Sequence, residues 1–531
     1  SSPQNINGAS TGVEIIGTSS TNTVSLTNGF FNTGTIGATT SSDTNASATN
    51  PPVATGVIIG NFAHLDTGAN PYAFTNANNG ATSGSTGSGT ISAAFSGQTV
   101  GVATGIAIAT NASVPSLLNQ GTITATATVT DTKVTSLTAV GILDQSGSLL
   151  KVTNEGSISA QAFAVVNGVA APLDNRQNLG QALNLSNATG AITLNNSGTI
   201  LGDVLLGADG DTVTTSGTVS KPSSINGNIN FGGGADTLTV GGHSTVSGDI
   251  LENAGGHINI TVESSGQLGV TNNGATSGGR AIPTGTTANL SVSNLHVEDG
   301  GTLGLTLADG FNINRTGNAG PIVQATPAGI INLEASSILK INFGGFVSAP
   351  ELSNGSAGTA KFVVFDATKG NITIANSAQV RQALTDGIPF LFSGSACAYS
   401  VSGFTSCGAA TGNPEGTTHS DVILTLTPKT AKQIGLTGYA ATMFGPANLA
   451  LADDAALGAA VINAGTPLDN KALTQAQGQK LYQQIYSSFA PDVTGSARAV
   501  AISLTDQASS IVGDRQRKLR MYASQDGDMT L

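Results

Sequence analysis

TGIAI (104–108) followed by NQGTI (119–123) is a two-part unit that the first 200 residues state five times. The first part recurs as TGVEI (11–15), TGVII (55–59), AVGIL (139–143) and VNGVA (166–170). The second recurs as NTGTI (32–36), GSGTI (87–91), NEGSI (154–158) and NSGTI (196–200). Short self-similar strings with Gly at their corners mark a solenoid, in which each repeat packs only on its neighbours. Spacing between copies of the first string runs from 27 to 49 residues. Strict-register repeats do not drift in this way, so the expectation is a mostly β chain wound as a parallel β-helix with loops of uneven length. The segments 41–52 and 72–90, rich in Asn, Ser, Thr and Gly, read as the largest loops.

A second repeat style begins near residue 197. SGTILGDVLLGADGDTV (197–213), SSINGNINFGGGADTL (223–238) and STVSGDILENAGGHINI (244–260) overlay with Gly202, Gly227 and Gly248 aligned. Val204, Ile229 and Ile250 then align, as do Asp211 and Asp236. Intervals of 25 and 21 residues suit one turn of three short strands joined by tight corners, where Gly lets backbones approach. Residues 1–300 are thus read as β-helix repeats. From 301 to 430 longer strands (337–346, 361–367, 421–428) read as a terminal, capping β region. The 431–531 segment reads as helical over 448–465, 471–489 and 495–520. In the second of these helices, Leu473, Leu481, Ile485 and Phe489 are the expected apolar face.

Composition supports this body. Only 9% of residues are charged and 4% aromatic, there is no Trp, and the mean hydropathy is +0.11. Dense Val, Ile, Leu and Thr suit a pleated, half-buried surface rather than a disordered chain. The formal net charge of −12 lies in residues 1–430, which hold 11 Lys and Arg against 23 Asp and Glu. Residues 1–130 contain no base at all. A nucleic-acid partner needs a basic stripe, so that class is excluded. The opening SSPQNINGAS lacks a basic and an apolar signal region and reads as a processed terminus, and no apolar run is long enough for a transmembrane helix.

Three features together resemble the passenger of a monomeric autotransporter, the type V secretion system of Gram-negative bacteria. They are the paired repeats of residues 1–200, the β segment ending in TLTPKTAKQIGLTG (425–438), and SSFAPDVTGSARAVAISLTDQASSIVGDRQRKLR (487–520). The resemblance implies a right-handed parallel β-helix exported through a C-terminal β-barrel translocator. It implies display at the cell surface or outer membrane, or release from it. Residues 301–430 would correspond to the autochaperone-like region, and 431–531 to the helical linker before a barrel that this chain does not contain.

Candidate chemistry is sparse. Asn32, Asn119, Asn154 and Asn196 can stack as an amide ladder. Cys397 and Cys407 enclose nine residues of turn material and read as a disulfide, since two thiols without a nearby His make a poor zinc site. FGGGADTLTV (231–240) and LGADGDTVT (206–214) are partial matches to a calcium turn, making Asp209, Asp211 and Asp236 candidate calcium ligands, with strand-corner aspartates the alternative. GASTG (8–12) matches a nucleophile string without its strand-to-helix context. His64, His243, His257, His296 and His419 fall in no base or metal motif. Phe163, Phe231, Phe311 and Phe346 read as core plugs. Arg515, Arg517, Lys518 and Arg520 suit the end of a helix. No cofactor is expected. The reading is a non-catalytic passenger acting as adhesin or self-associating surface structure, with self-association or an extracellular ligand as partner. The alternatives are a β-helix enzyme acting on polysaccharide or ester, and a calcium-dependent lattice protein.

Overall fold

The computed structural model describes residues 9–41, 51–68, 70–77, 89–98, 100–130, 136–166, 169–172, 180–253, 256–272, 276–277, 280–281, 289–314, 319–345, 359–368, 370–407, 419–465, 473–489, 507, 509–512 and 514. These residues are mostly β, in long parallel sheets consistent with a β-helix or solenoid, with a few helices. They form two compact units. The first comprises residues 1–304, 323–338 and 367–376; the second comprises 305–322, 339–366 and 377–531.

In the first unit the chain visits three sheets in the same order, turn after turn. One complete turn is Val100–Ile108, Ser116–Asn119 and Thr122–Val129. The first sheet runs from Ala9–Ile15 to Ile250–Leu251, the second from Phe30–Asn32 to Val323–Leu333, and the third from Thr35–Ser41 to Gln267–Val270. Between successive turns the pairing is parallel and largely in register. Identical positions therefore stack. In TITATATV (122–129) Ile, Ala, Ala and Val are buried and each Thr faces outward. Ile91, Ile123, Ile158, Ile200 and Ile225 form one buried column. Leu117, Val152, Leu194, Val213, Leu238 and Ile260 form another. Burying each such side chain stabilises the fold by about 1.5–3 kcal/mol, without any need for aromatic bulk.

Repeat strings fall where their periodicity puts them. TGVII and TGIAI lie in first-sheet strands, while each N-x-G-[TS]-I string closes a second-sheet strand, turns a corner and opens a third-sheet strand. Val204, Ile229 and Ile250 are in register, as aligned. VNGVA (166–170) is a correction. Val169–Pro172 pairs antiparallel with Ser157–Val166, and the first-sheet strand of that turn is Gln181–Asn184. Asn-Gly between valines is a two-residue hairpin sequence, and that local signal outweighs the likeness to the repeat.

Gly at the N-x-G corner has a steric cause. A Cβ on Gly121 would overlap the carbonyl oxygen of Gly89, one on Gly156 that of Gly121, and one on Gly198 that of Gly156. Gly227 and Gly248 add the left-handed backbone, at φ 150° and 153°.

In the second unit, Phe392–Tyr399 pairs antiparallel with His419–Pro428. Cys397 and Cys407 are joined by a 2.04 Å S–S bond, and Cys407 packs with Val363 and Ile423 in a buried cluster. A helix at Ser377–Asp386, not expected from the sequence, buries Val380 and Leu384 at helical spacing. The expected 448–465 helix is instead two, Gly438–Asp453 and Ala455–Ala464. Asp454 accepts a hydrogen bond from Leu457 N at 3.0 Å and caps the second. Gln475–Ser488 follows, with a different face buried from the one expected. Tyr482 and Tyr486 are fully buried, whereas Leu473, Leu481, Ile485 and Phe489 are half-buried. Each tyrosine brings a hydroxyl with a partner: Tyr482 donates to Val461 O at 2.9 Å, and Tyr486 to Asn448 Oδ1 at 2.6 Å. Phe231 and Phe311 are core residues, but Phe163 is half-buried at an outward position beside Thr128. Phe346, the basic cluster 515–520, and most of the 495–520, 41–52 and 72–90 segments lie outside the described residues, but Phe74–Asn76 within the last is a second-sheet strand and not loop.

Replacing Gly156 by Ala forces two backbones apart at a point of contact. A loss of about 1–3 kcal/mol is expected, read as a lower thermal midpoint by far-ultraviolet circular dichroism. Ala at the open Gly34, where an added Cβ meets nothing, should leave the midpoint in place.

Candidate functional site: an asparagine ladder and a buried carboxylate column

Each second-sheet strand of the first five turns ends in Asn, and the pleat sends that side chain inward to the corner. Asn32 Nδ2 donates to Asn76 Oδ1, Asn76 to Asn119, Asn119 to Asn154 and Asn154 to Asn196, every one at 2.8 Å. Asn196 hands on to Thr215 Oγ1 at 3.2 Å, which in turn bonds Ser223 Oγ at 3.0 Å. The second amide proton is also used. Asn76 donates to Thr122 O, Asn119 to Ser157 O, Asn154 to Thr199 O and Asn196 to Ser224 O, at 3.0–3.2 Å. The ladder is buried throughout. All four asparagines singled out from the repeats stand in it. Asn76 was missed because twelve residues separate it from the Gly of its own corner, Gly89. Its signal was FTN (74–76), matching FFN (30–32) and LLN (117–119).

At the corner between the first and second sheets, acids take the place of amides. Asp211 accepts from Ile192 N at 2.7 Å and Gly207 N at 3.1 Å, while Asp211 N donates to Asp236 Oδ1 at 2.6 Å. Glu252 of the next turn is the neighbouring acid, and Asp236 Oδ2 and Glu252 Oε2 are both buried with no N–H or O–H donor of their own among the described residues. Asp211, Asp236 and Glu252 are all at most 1% exposed. Asp209, by contrast, is exposed at the preceding turn. The structure therefore gathers Asp211 and Asp236 with Glu252, which sequence reading missed because Glu252 does not occupy their repeat position: Asp236 stacks on Ile258, and Glu252 follows Leu251, the residue paired with Asn230. Among the described residues no three His, Cys, Asp or Glu side chains converge as a metal-holding group.

Burial governs the titration of this column. Desolvation raises Asp211 to about 6, despite its two backbone donors. Desolvation raises Glu252 to about 8, and the hydrogen bond to Asp236 and its charge add to the effect. Asp236 is raised too, again by desolvation first. Like charges this close do not both ionise, so Glu252 keeps its proton and gives it to Asp236 as a hydrogen bond. A third polar column lies at the remaining corner: Asp203 Oδ1 accepts from Asn228 N, and Asn228 Oδ1 from Asp249 N, both at 2.9 Å. Asn272 Oδ1 then accepts from Ile250 N at 3.0 Å.

The other candidates are scattered. Ser10 of GASTG lies in an edge strand. His296 bonds Glu334 Oε1 at 2.8 Å, which holds that carboxyl below its usual range. His64, His243 and His257 fall in separate turns. Polar side chains at the three corners thus hydrogen-bond within the stack itself. No family model, curated protein or solved structure matches the chain.

Asn119→Ala removes a donor from Asn154 Oδ1 and an acceptor from Asn76, and should cost about 2–6 kcal/mol, at the rate of about 1–3 kcal/mol for each buried partner left unmade. Asn119→Asp should cost more, since it sets a buried charge against Asn154 Oδ1 and the Ser157 carbonyl, both acceptors. Denaturant unfolding of both variants checks the order.

Glu252 is raised above its ordinary value in the fold, so its stabilising share is complete below about 4.5 and is lost as pH rises through about 8. The thermal midpoint should fall over that window. Glu252→Gln, a permanent donor, should flatten the profile, and an unchanged slope would remove Glu252 as its cause.

Proposed function

We propose that the chain is a non-catalytic surface passenger of the autotransporter kind, a right-handed parallel β-helix that acts by adhesion or self-association. The handedness follows from the strong preference of parallel crossovers for a right-handed path. The proposed site of action is the cell surface of a Gram-negative bacterium, or the medium around it after release.

One observation carries the functional part. Outward positions of the third sheet stack as Thr35, Thr90, Thr122, Ser157, Thr199, Ser224, Thr245 and Gln267, one polar side chain per turn. Beside them Ser92, Thr124 and Ser159 form a second row. The strands Thr35–Ser41, Thr90–Gly97, Thr122–Val129 and Ser157–Val166 contain no charged residue. Spacing along each row is set by strand pairing, at about 4.8 Å. A regular, uncharged hydroxyl face suits many weak contacts made in step, with no electrostatic penalty against a second identical face.

Sedimentation velocity and electron microscopy of the purified chain test this reading. Concentration-dependent assemblies are expected. A Thr124→Lys, Thr126→Lys double variant, placing charge on the face, should shift them to monomer while leaving the thermal midpoint unchanged. A chain that stays monomeric at every concentration contradicts self-association, and assemblies indifferent to the lysines contradict this face.

A further inference from the structure

Within the second unit, the turn after Ser377–Asp386, the start of strand Phe392–Tyr399, the end of strand His419–Pro428 and the start of helix Gln475–Ser488 line a solvent-open cavity of about 270 Å³. Ile388, Phe390, Phe392 and Leu473 supply its apolar wall. Lys429 supplies its one charge. The Lys429 ammonium sits 4.3 Å from the centre of the Phe390 ring, itself held by stacking on Tyr482 at 5.7 Å. Among the described residues no carboxylate pairs with Lys429, and desolvation holds its amine below the ordinary range.

The polar neighbours are already occupied. Ser393 donates to Thr427 O, Thr385 to Arg381 O, and Gln475 Nε2 to the carbonyls of Gln433 and Ile434. Lys429 is therefore the donor left for a guest. A half-buried cation beside an aromatic face, without a counter-ion, is a cost that a bound anion offsets. The volume lies just under the usual range for ligand pockets, which limits the guest to a small molecule or the end of a chain.

We propose that this cavity binds a carboxylate carried on a short apolar chain, with the carboxylate on Lys429 Nζ and the chain against Phe390, Phe392 and Ile388. This site is independent of the hydroxyl face. Two sources carry the same chemistry: a free fatty acid, and the C-terminus of a peptide ending in an apolar residue.

Isothermal titration of the full chain with octanoate, octanol and octylamine reads the charge requirement. Saturable one-site binding of octanoate is expected, about tenfold or more tighter than octanol, the factor that about 1.4 kcal/mol confers. Octylamine should not bind. Lys429→Met should lose the preference for octanoate, and Lys429→Arg should keep it. An acetylated dipeptide ending in leucine, as free acid and as amide, separates the two sources. Equal affinity for octanoate and octanol, absence of saturable binding, or an unaltered preference in Lys429→Met overturns the proposal. Should Lys429→Met fail to fold, the ligand series on the unaltered chain decides alone.

Discussion

Successive turns of the first unit must approach to the separation of paired strands, and at the corners this is possible only where nothing projects between them. That single steric demand accounts for Gly89, Gly121, Gly156 and Gly198 standing directly on one another. It also decides their neighbours. A corner so tight leaves backbone carbonyls and amides facing inward, and each needs a partner. The preceding Asn meets that need, its amide reaching both the next Asn and a carbonyl across the corner. Motif and fold are therefore one fact. The repeat is spelled N-x-G because Gly permits the approach and Asn satisfies what the approach buries.

The carboxylate column is the less comfortable solution to the same problem. An amide offers both donors and acceptors, whereas an ionised acid only accepts. Asp211 manages with two backbone N–H groups from its own surroundings. Asp236 and Glu252, one turn apart, have a shortage of donors that a retained proton repairs. Local chemistry of this corner thus depends on pH, while the asparagine corner, built of groups that do not titrate, has no such dependence.

Much of the first unit was readable from sequence because its signals are local and repeated. Thr-Ile after a Gly corner means outward then inward, and parallel stacking copies that reading from turn to turn. Failures have equally specific causes. VNGVA resembled a repeat, but the residues on either side of its Asn-Gly pair antiparallel. Asn76 was hidden by an insertion that shifts nothing in three dimensions. Glu252 reaches the acidic corner from a different repeat position, six residues before Ile258, the residue stacked on Asp236. In the second unit helix content was evident from Ala and Leu density, but the buried face was misjudged. Tyr482 and Tyr486 rank as amphipathic until Val461 O and Asn448 are known to receive their hydroxyls. The cavity beside Lys429 had no sequence signal, since its walls come from four segments spread over ninety residues. The hydroxyl face, conversely, is fully written in Thr and Ser alternation.

Every amide in the asparagine ladder points the same way, oxygen toward the earlier turn and nitrogen toward the later one. Reversing any one of them would set oxygen against oxygen on one side and NH2 against NH2 on the other. The five side chains thus behave like a row of aligned compass needles, fixed in concert, whose dipoles add along the column and strengthen one another. The stack acquires an electrical polarity that no charged residue creates, and a newly placed turn meets a neighbour that already dictates which way its own amide must lie.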